Sequence, residues 1–208
     1  MSAALSAADA VALEDCVTRG GVAVFPADTV YGLCCAPDDE RAVRRVFELK
    51  GRPSARAAAV MFFALERAIS ALGELPERER AALLALLPGP VTLLLPNPRR
   101  LYEPACAADP ATLGLRVPRL PAPLVPLAAV AVPVLQTSAN ISGGEDARRV
   151  EDVPAVLREG ADLVLDGGEL PGTPSSVVDL RGYTRGGSWR IVREGALSAA
   201  AVQRALDG

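Results

Sequence analysis

Apolar positions along this chain fall into two patterns. Short runs closed by glycine or proline alternate with longer stretches in which apolar residues return every three or four places. "GGVAVF" at 20–25 is of the first kind, a buried strand ended by Pro26. "AAVMFF", "PVTLLLP", "LGLRVP", "DLVLD", "SSVVDL" and "WRIVR" extend the series, and "VPVLQTSANISGG" is a strand running into a polar, glycine-ended loop. "DERAVRRVFELKG" is of the second kind. Asp38 or Asp39 caps it, Val43, Val46 and Phe47 share its inner face, and Gly51 stops it. Further helices are predicted at "ALERAISAL", "ERERAALLALL", the proline-opened "PAPLVPLAAV", the stretch 150–158 and "SAAAVQRAL". Helices and strands are interspersed, which predicts an α/β fold, a twisted mixed sheet with helices packed around it. The 208 residues suffice for a single domain, 1–208, with a sizeable core.

Polar residues collect where strands end. Asp28 and Thr29 follow the first strand, and Ser138 and Asn140 follow "VLQT". Loops beyond strand ends form the ligand crevice of open α/β sheets, so these four residues are expected in the wall of a concave cleft. Tyr31 and Leu33 return to packing. In "LGLRVP", Leu113, Leu115 and Val117 share one strand face and send Gly114 and Arg116 to the other. Arg116 therefore either lies on a solvent face or looks into a cleft.

Composition narrows the chemistry. There is no histidine, which removes Ser-His, Cys-His and zinc-His arrangements. The four cysteines show no C-x-x-C spacing, so buried, reduced thiols are expected rather than a disulfide framework or a metal site. A net charge of −3 argues against a bulk polyanion binder. Although 50% of residues are hydrophobic, no apolar run approaches the roughly 20 residues of a membrane helix. The opening residues carry Asp9, Glu14 and Asp15 and no basic residue, unlike a secretory leader, so a cytoplasmic location without membrane attachment is expected.

Arginine supplies every cation but one, Lys50. A compact ammonium does a different job from a planar guanidinium. Lys50 and Arg52 follow a helix, where a lysine serves the helix dipole or, with Arg52, clamps phosphate oxygens; spacing alone leaves both open. Ser138 and Asn140 are likewise either turn formers or ligands to a phosphate or base. No G-x-x-x-x-G-K-[ST] or G-x-G-x-x-G occurs, so any nucleotide is held outside those frameworks.

"FPADTVYGL", "LKGRP", "LPGPVTLLLP", "LGLRVP", "QTSANISG", "DGG", "PSSVVDL" and "IVREGA" together resemble, in order and over about residues 20 to 197, the YrdC/TsaC family of L-threonylcarbamoyladenylate synthases. The resemblance is to the short, single-domain form. It implies a YrdC-like fold and a nucleotidyltransferase that makes threonylcarbamoyl-AMP and pyrophosphate from L-threonine, bicarbonate and ATP with Mg²⁺. A downstream transferase would use the product for the t6A modification of tRNA. It implies that Lys50 and Arg52 act in catalysis and bind ATP with Thr112, Ser138, Asn140 and Arg193. It places Arg116 and Ser175 on the threonine side together with Asp28 and Thr29, Asp28 orienting the ammonium or a water unless it serves only as a cap or turn residue. No metal ligands within the protein are implied.

The chain departs from that pattern at three places. Ala27 stands where the family commonly has Thr, "SARAAAVMFF" follows the basic motif and offers Arg56 without a proline, and Glu145 and Asp146 occupy a loop usually rich in Pro, Ser and Thr. Two other readings are an RNA-binding YrdC-like module, against which the acidic charge and 4% aromatic content argue, and a carbamoyl-adenylate enzyme with a different acceptor, which Ala27 keeps open.

Overall fold

The computed structural model describes residues 4–51 and 57–207. Strands run over Ala23–Pro26 (β1), Tyr31–Cys35 (β2), Ala59–Met61 (β3), Val91–Pro96 (β4), Thr112–Arg116 (β5), Val134–Ser138 (β6), Leu163–Val164 (β7), Ser176–Asp179 (β8) and Arg190–Arg193 (β9). Among the described residues they form one mixed sheet in the order β7-β1-β2-β6-β3-β5-β4-β8-β9. The pairs β1–β7, β3–β5 and β4–β8 are parallel and the others antiparallel. The α-helices are Ala7–Thr18 (α1), Glu40–Leu49 (α2), Leu65–Leu72 (α3), Glu77–Leu86 (α4), Glu103–Cys106 (α5), Ala155–Gly160 (α6), Tyr183–Gly186 (α7) and Ala199–Asp207 (α8). The predicted α/β class and most predicted elements are present.

The helix after the first motif follows its local chemistry closely. Asp39 Oδ1 accepts from the backbone N–H groups of Arg41 and Ala42, satisfying two donors of the first turn. Lys50 is the C-terminal cap, and Gly51 follows at φ +57, a left-handed position suited to glycine. Val43, Val46 and Phe47 are buried as predicted.

Other elements differ. "PAPLVPLAAV" is a 3₁₀ helix, Ala122–Ala129, rather than an α-helix; Pro126 lies inside it and has no N–H to give an α-helical ladder. The stretch 150–158 divides into a 3₁₀ turn, Val150–Asp152, and α6, because Pro154 caps the second piece. Helix α1 was not predicted, although Ser6 and Asp9 form a capping box legible as S-x-x-D. Strand β2 was not predicted either. All five of its residues are buried, so it shows no alternation to read.

Strand β2 explains "FPADTVYGL". β1 and β2 are a hairpin whose last pair is Pro26 with Tyr31, and Asp28 and Thr29 form its tip. The sheet floor is set by register. Gln136 pairs with Ala59, Gly114 lies beside Ala59 and pairs with Leu94, and Leu94 pairs with Asp179, giving one cross-strand row. Two residues along each strand, Ser138, Thr112 and Arg181 stand at one rim. Two residues the other way, Arg116, Thr92, Val177 and Arg193 form the opposite row.

Candidate functional site

These rows bound a cleft of about 630 Å³. Its middle is floored by Ala59, Gly114 and Leu94, and polar groups gather at its two ends. A Cβ on Gly114 would meet only ordinary contacts, the nearest at 3.5 Å, so glycine there leaves room in the cleft.

At one end, Lys50 is 2% exposed and its Nζ donates to Asn140 O at 2.8 Å, to Asn140 Oδ1 at 2.9 Å and to the carbonyl of Ser138. Ser138 Oγ donates to Asn140 Oδ1 at 2.8 Å, and Asn140 Nδ2 reaches Gly144 O at 2.6 Å. The backbone carbonyl of Lys50 also accepts from Ser142 N at 3.1 Å. The lysine thus fastens the loop after β6 to the end of α2 while bringing a positive charge to the cleft wall. The compact ammonium suits three converging acceptors better than a planar fork. Both readings left open by spacing are therefore amended. Lys50 caps α2 with its backbone, and its side chain is committed to the loop that would meet a phosphate. Arg52 and Arg56 lie outside the described residues.

At the other end stands Arg116, also 2% exposed. Nη1 donates to Gln136 Oε1 at 3.0 Å, and Nη2 donates to Thr29 Oγ1 at 2.7 Å and forms an ion pair with Asp28. Asp28 Oδ2 accepts from Arg119 N at 3.1 Å, which fixes the carboxylate. Burial pushes the Arg116 pKa down, Asp28 pulls it up and the charge of Arg193 pushes it down. Arg116 Nε is the one buried side-chain N or O atom without a hydrogen-bond partner among the described residues. An orphaned donor on a guanidinium is costly, and a ligand carboxylate would satisfy it.

Asp28 and Thr29, expected as substrate contacts, do not line the cleft. They sit behind Arg116 because the hairpin tip turns them under its guanidinium. Their polar atoms hold the arginine rather than face the cavity.

Ser175 Oγ lies 3.0 Å from Thr92 Oγ1, and Arg193 Nη2 donates to Ser175 O at 2.7 Å. Thr112 Oγ1 accepts from Arg181 Nη1 at 3.1 Å. The cleft thus gathers Lys50, Thr112, Arg116, Ser138, Asn140, Ser175 and Arg193. It also contains six polar residues that sequence reasoning did not single out, Thr92, Asp109, Gln136, Thr137, Ser142 and Arg181, together with Asp146 from the loop already noted. For Gln136 strand alternation was the available signal, since it shares a strand face with Ser138; Thr92 had no such signal, because its strand held no residue already chosen. Asp109 and Arg181 lie just outside strands and carried no local signal. Glu145 is exposed and outside the lining, whereas Asp146 is part of it and accepts from Asn140 Nδ2 at 3.5 Å.

Four cations (Lys50, Arg116, Arg181, Arg193) face two carboxylates (Asp109, Asp146) in this wall, so the described cleft favours an anion despite the acidic chain. All four cysteines are buried and free. Burial raises the Cys35 pKa to about 12 and that of Cys34 well above normal, so neither supplies a thiolate. Among the described residues no three acidic or sulfur ligands converge on a metal position. No described helix is long and apolar enough to cross a membrane.

A family model described as "Telomere recombination", that of Sua5, YciO and YrdC, matches residues 15–195. The threonylcarbamoyl-AMP synthase of Hahella chejuensis is 33% identical over 165 residues, covering 78% of this chain and 89% of that protein. The structure of Pyrococcus abyssi Sua5 solved with L-threonine superposes with a TM-score of 0.80 at 26% identity, over 97% of this chain and 58% of that one. The uncharacterised Escherichia coli protein YciO is 29% identical over 183 residues, 86% of this chain and 85% of its own.

Proposed function

Because the chain belongs to the Sua5/YciO/YrdC family, we propose that it is an L-threonylcarbamoyladenylate synthase. It joins L-threonine, bicarbonate and ATP into threonylcarbamoyl-AMP and pyrophosphate, and the product passes to a transferase acting on tRNA. The observation that carries this reading is that one cleft holds a phosphate-type end and a carboxylate-type end. Lys50, Ser138 and Asn140 form the first; Arg116, with its unused Nε, forms the second beside Ser175 and Thr92.

Arg116 Nε, in this reading, donates to the threonine carboxylate, and Asp28, Thr29 and Gln136 hold the guanidinium for it. The threonine amine combines with bicarbonate to give the carbamate and water. A carbamate oxygen then attacks the α-phosphorus of ATP, and the bond to the leaving pyrophosphate breaks. Such a displacement needs alignment and charge compensation rather than a protein nucleophile, which suits a cleft with no histidine and no available thiolate. Lys50 and Arg193 offset charge on the phosphates, and Arg52 extends the same role from "LKGRP".

Magnesium fits as a passenger on the triphosphate. Asp109 is paired with Arg181 at 3.5 Å, which leaves Asp146 as the wall carboxylate to meet the ion or its waters. The ion would supply further neutralisation of phosphate charge.

The purified protein, given ATP, Mg²⁺ and bicarbonate, should release pyrophosphate only when L-threonine is added. Release that ignores threonine, or none at all, would reject the assignment.

A further inference from the structure

The product of the proposed reaction is a mixed anhydride of a carbamic and a phosphoric acid. It acylates any neutral amine, thiolate or imidazole within reach. The wall that makes it must therefore hold cations beside a group that reacts with lysine, cysteine and histidine side chains.

Arginine meets that demand. Its guanidinium stays charged in proteins and so offers a carbonyl no nitrogen lone pair. Arg116, Arg181 and Arg193 are the described wall cations other than Lys50, and after Lys50 the basic motif adds Arg52 and Arg56. Histidine is absent from the chain. The described wall contains none of the four cysteines, and burial raises the pKa of each thiol. Ser138 and Ser175 are bonded to groups that take no proton from them. Ser175 Oγ lies 3.0 Å from Thr92 Oγ1 and 3.4 Å from Arg193 Nη2, and Ser138 Oγ donates to Asn140 Oδ1 at 2.8 Å.

The one amine among the side chains is locked. Lys50 is buried, and its ammonium has three N–H donors for three acceptors: the carbonyl of Ser138, Asn140 O at 2.8 Å and Asn140 Oδ1 at 2.9 Å. A neutral amine would turn a lone pair toward one of these buried oxygens and leave it without a donor. The arrangement holds the ammonium, and an ammonium cannot attack a carbonyl.

We propose that this cleft is protected against acylation by its own product: its other cations are arginines and its one amine is locked, so threonylcarbamoyl-AMP leaves intact for the next acceptor. The proposal rests on the synthase reading above. The step avoided is attack by a neutral amine on the carbamoyl carbon. A C–N bond would form, the nitrogen would lose a proton, the C–O bond to the phosphate would break, and AMP would depart, leaving a urea on the protein. Arg193 shows what the choice of cation prevents. It stands beside the carboxylate-type end, with Nη2 donating to Ser175 O at 2.7 Å. A lysine in its place would keep the charge but lack the three converging acceptors of Lys50, and so could shed a proton and attack.

The test mixes wild type and Arg193→Lys with ATP, Mg²⁺, L-threonine and labelled bicarbonate, so that the wild type supplies product even to a variant that does not turn over. Peptide mass spectrometry reads where the label lands. Position 193 of the variant should carry at least tenfold more threonylcarbamoyl adduct than Lys50 of either folded protein. Filtered product added to wild type unfolded in urea should label Lys50, which would show that the fold protects it. Adducts on Lys50 of the folded wild type would overturn the proposal. So would product that accumulates while position 193 stays bare, or a Lys50 that resists labelling even when unfolded; each of these leaves the synthase reading standing. Failure of the wild type to release pyrophosphate would remove both.

Discussion

Arg116 and Asp28 form a pair in which each side chain is nearly sealed from solvent, at 3% and 4% exposure. Removing one partner of such a pair leaves the other charged and buried, typically at a cost of about 3–5 kcal/mol. Asp28→Ala should therefore lower the unfolding free energy by about that amount in urea titrations, and pairing it with Arg116→Met should recover most of the loss. A cost for Asp28→Ala below about 1 kcal/mol would contradict a buried pair. The carboxylate itself was legible in "FPADTVYGL", but its direction was not. A strand end in sequence does not say whether the following turn faces the cleft or tucks beneath an arginine 88 positions away. Lys50 shows the same limit. Its singularity among 21 arginines marked it, yet only the three acceptors converging on its ammonium show why the shape of that cation matters.

The central strands carry the site because their register places alternate residues on one floor. Gly32 on β2 sits where this packing is close. It pairs with Ser138, and a Cβ there would lie 2.9 Å from Gln136 Nε2 and 3.1 Å from Thr137 O. Glycine at this position lets Gln136 stand close enough to hold Arg116 at 3.0 Å. Gly32→Ala should cost about 1–3 kcal/mol by overpacking and also weaken threonine binding, because the displaced amide loosens the guanidinium. Calorimetric titration with threonine would check it; unchanged affinity would detach Gln136 from the site. The helix α2 was readable from its cap, apolar face and terminal glycine, all encoded within a dozen residues. The buried strand β2 and the 3₁₀ segment at Ala122–Ala129 were not, since complete burial erases alternation and a proline inside an apolar stretch overrides its helical spacing.

Across the whole molecule, one sheet brings together segments as distant as Lys50, Arg116, Ser138 and Arg193 around a single cleft. Its cations outnumber its carboxylates although the chain carries a net charge of −3. Charge balance over the chain described its bulk; the cleft is a local exception that only folding assembles. The family match over residues 15–195 embraces every strand of that sheet. The central claim is that this cleft joins one threonine, one bicarbonate carbon and one AMP. Incubation with ¹³C-bicarbonate, L-threonine, ATP and Mg²⁺, followed by mass spectrometry, tests it most directly. The account predicts threonylcarbamoyl-AMP carrying a single ¹³C, formed together with pyrophosphate and absent when threonine is omitted. An adenylate lacking the label, or no adenylate at all, would contradict it.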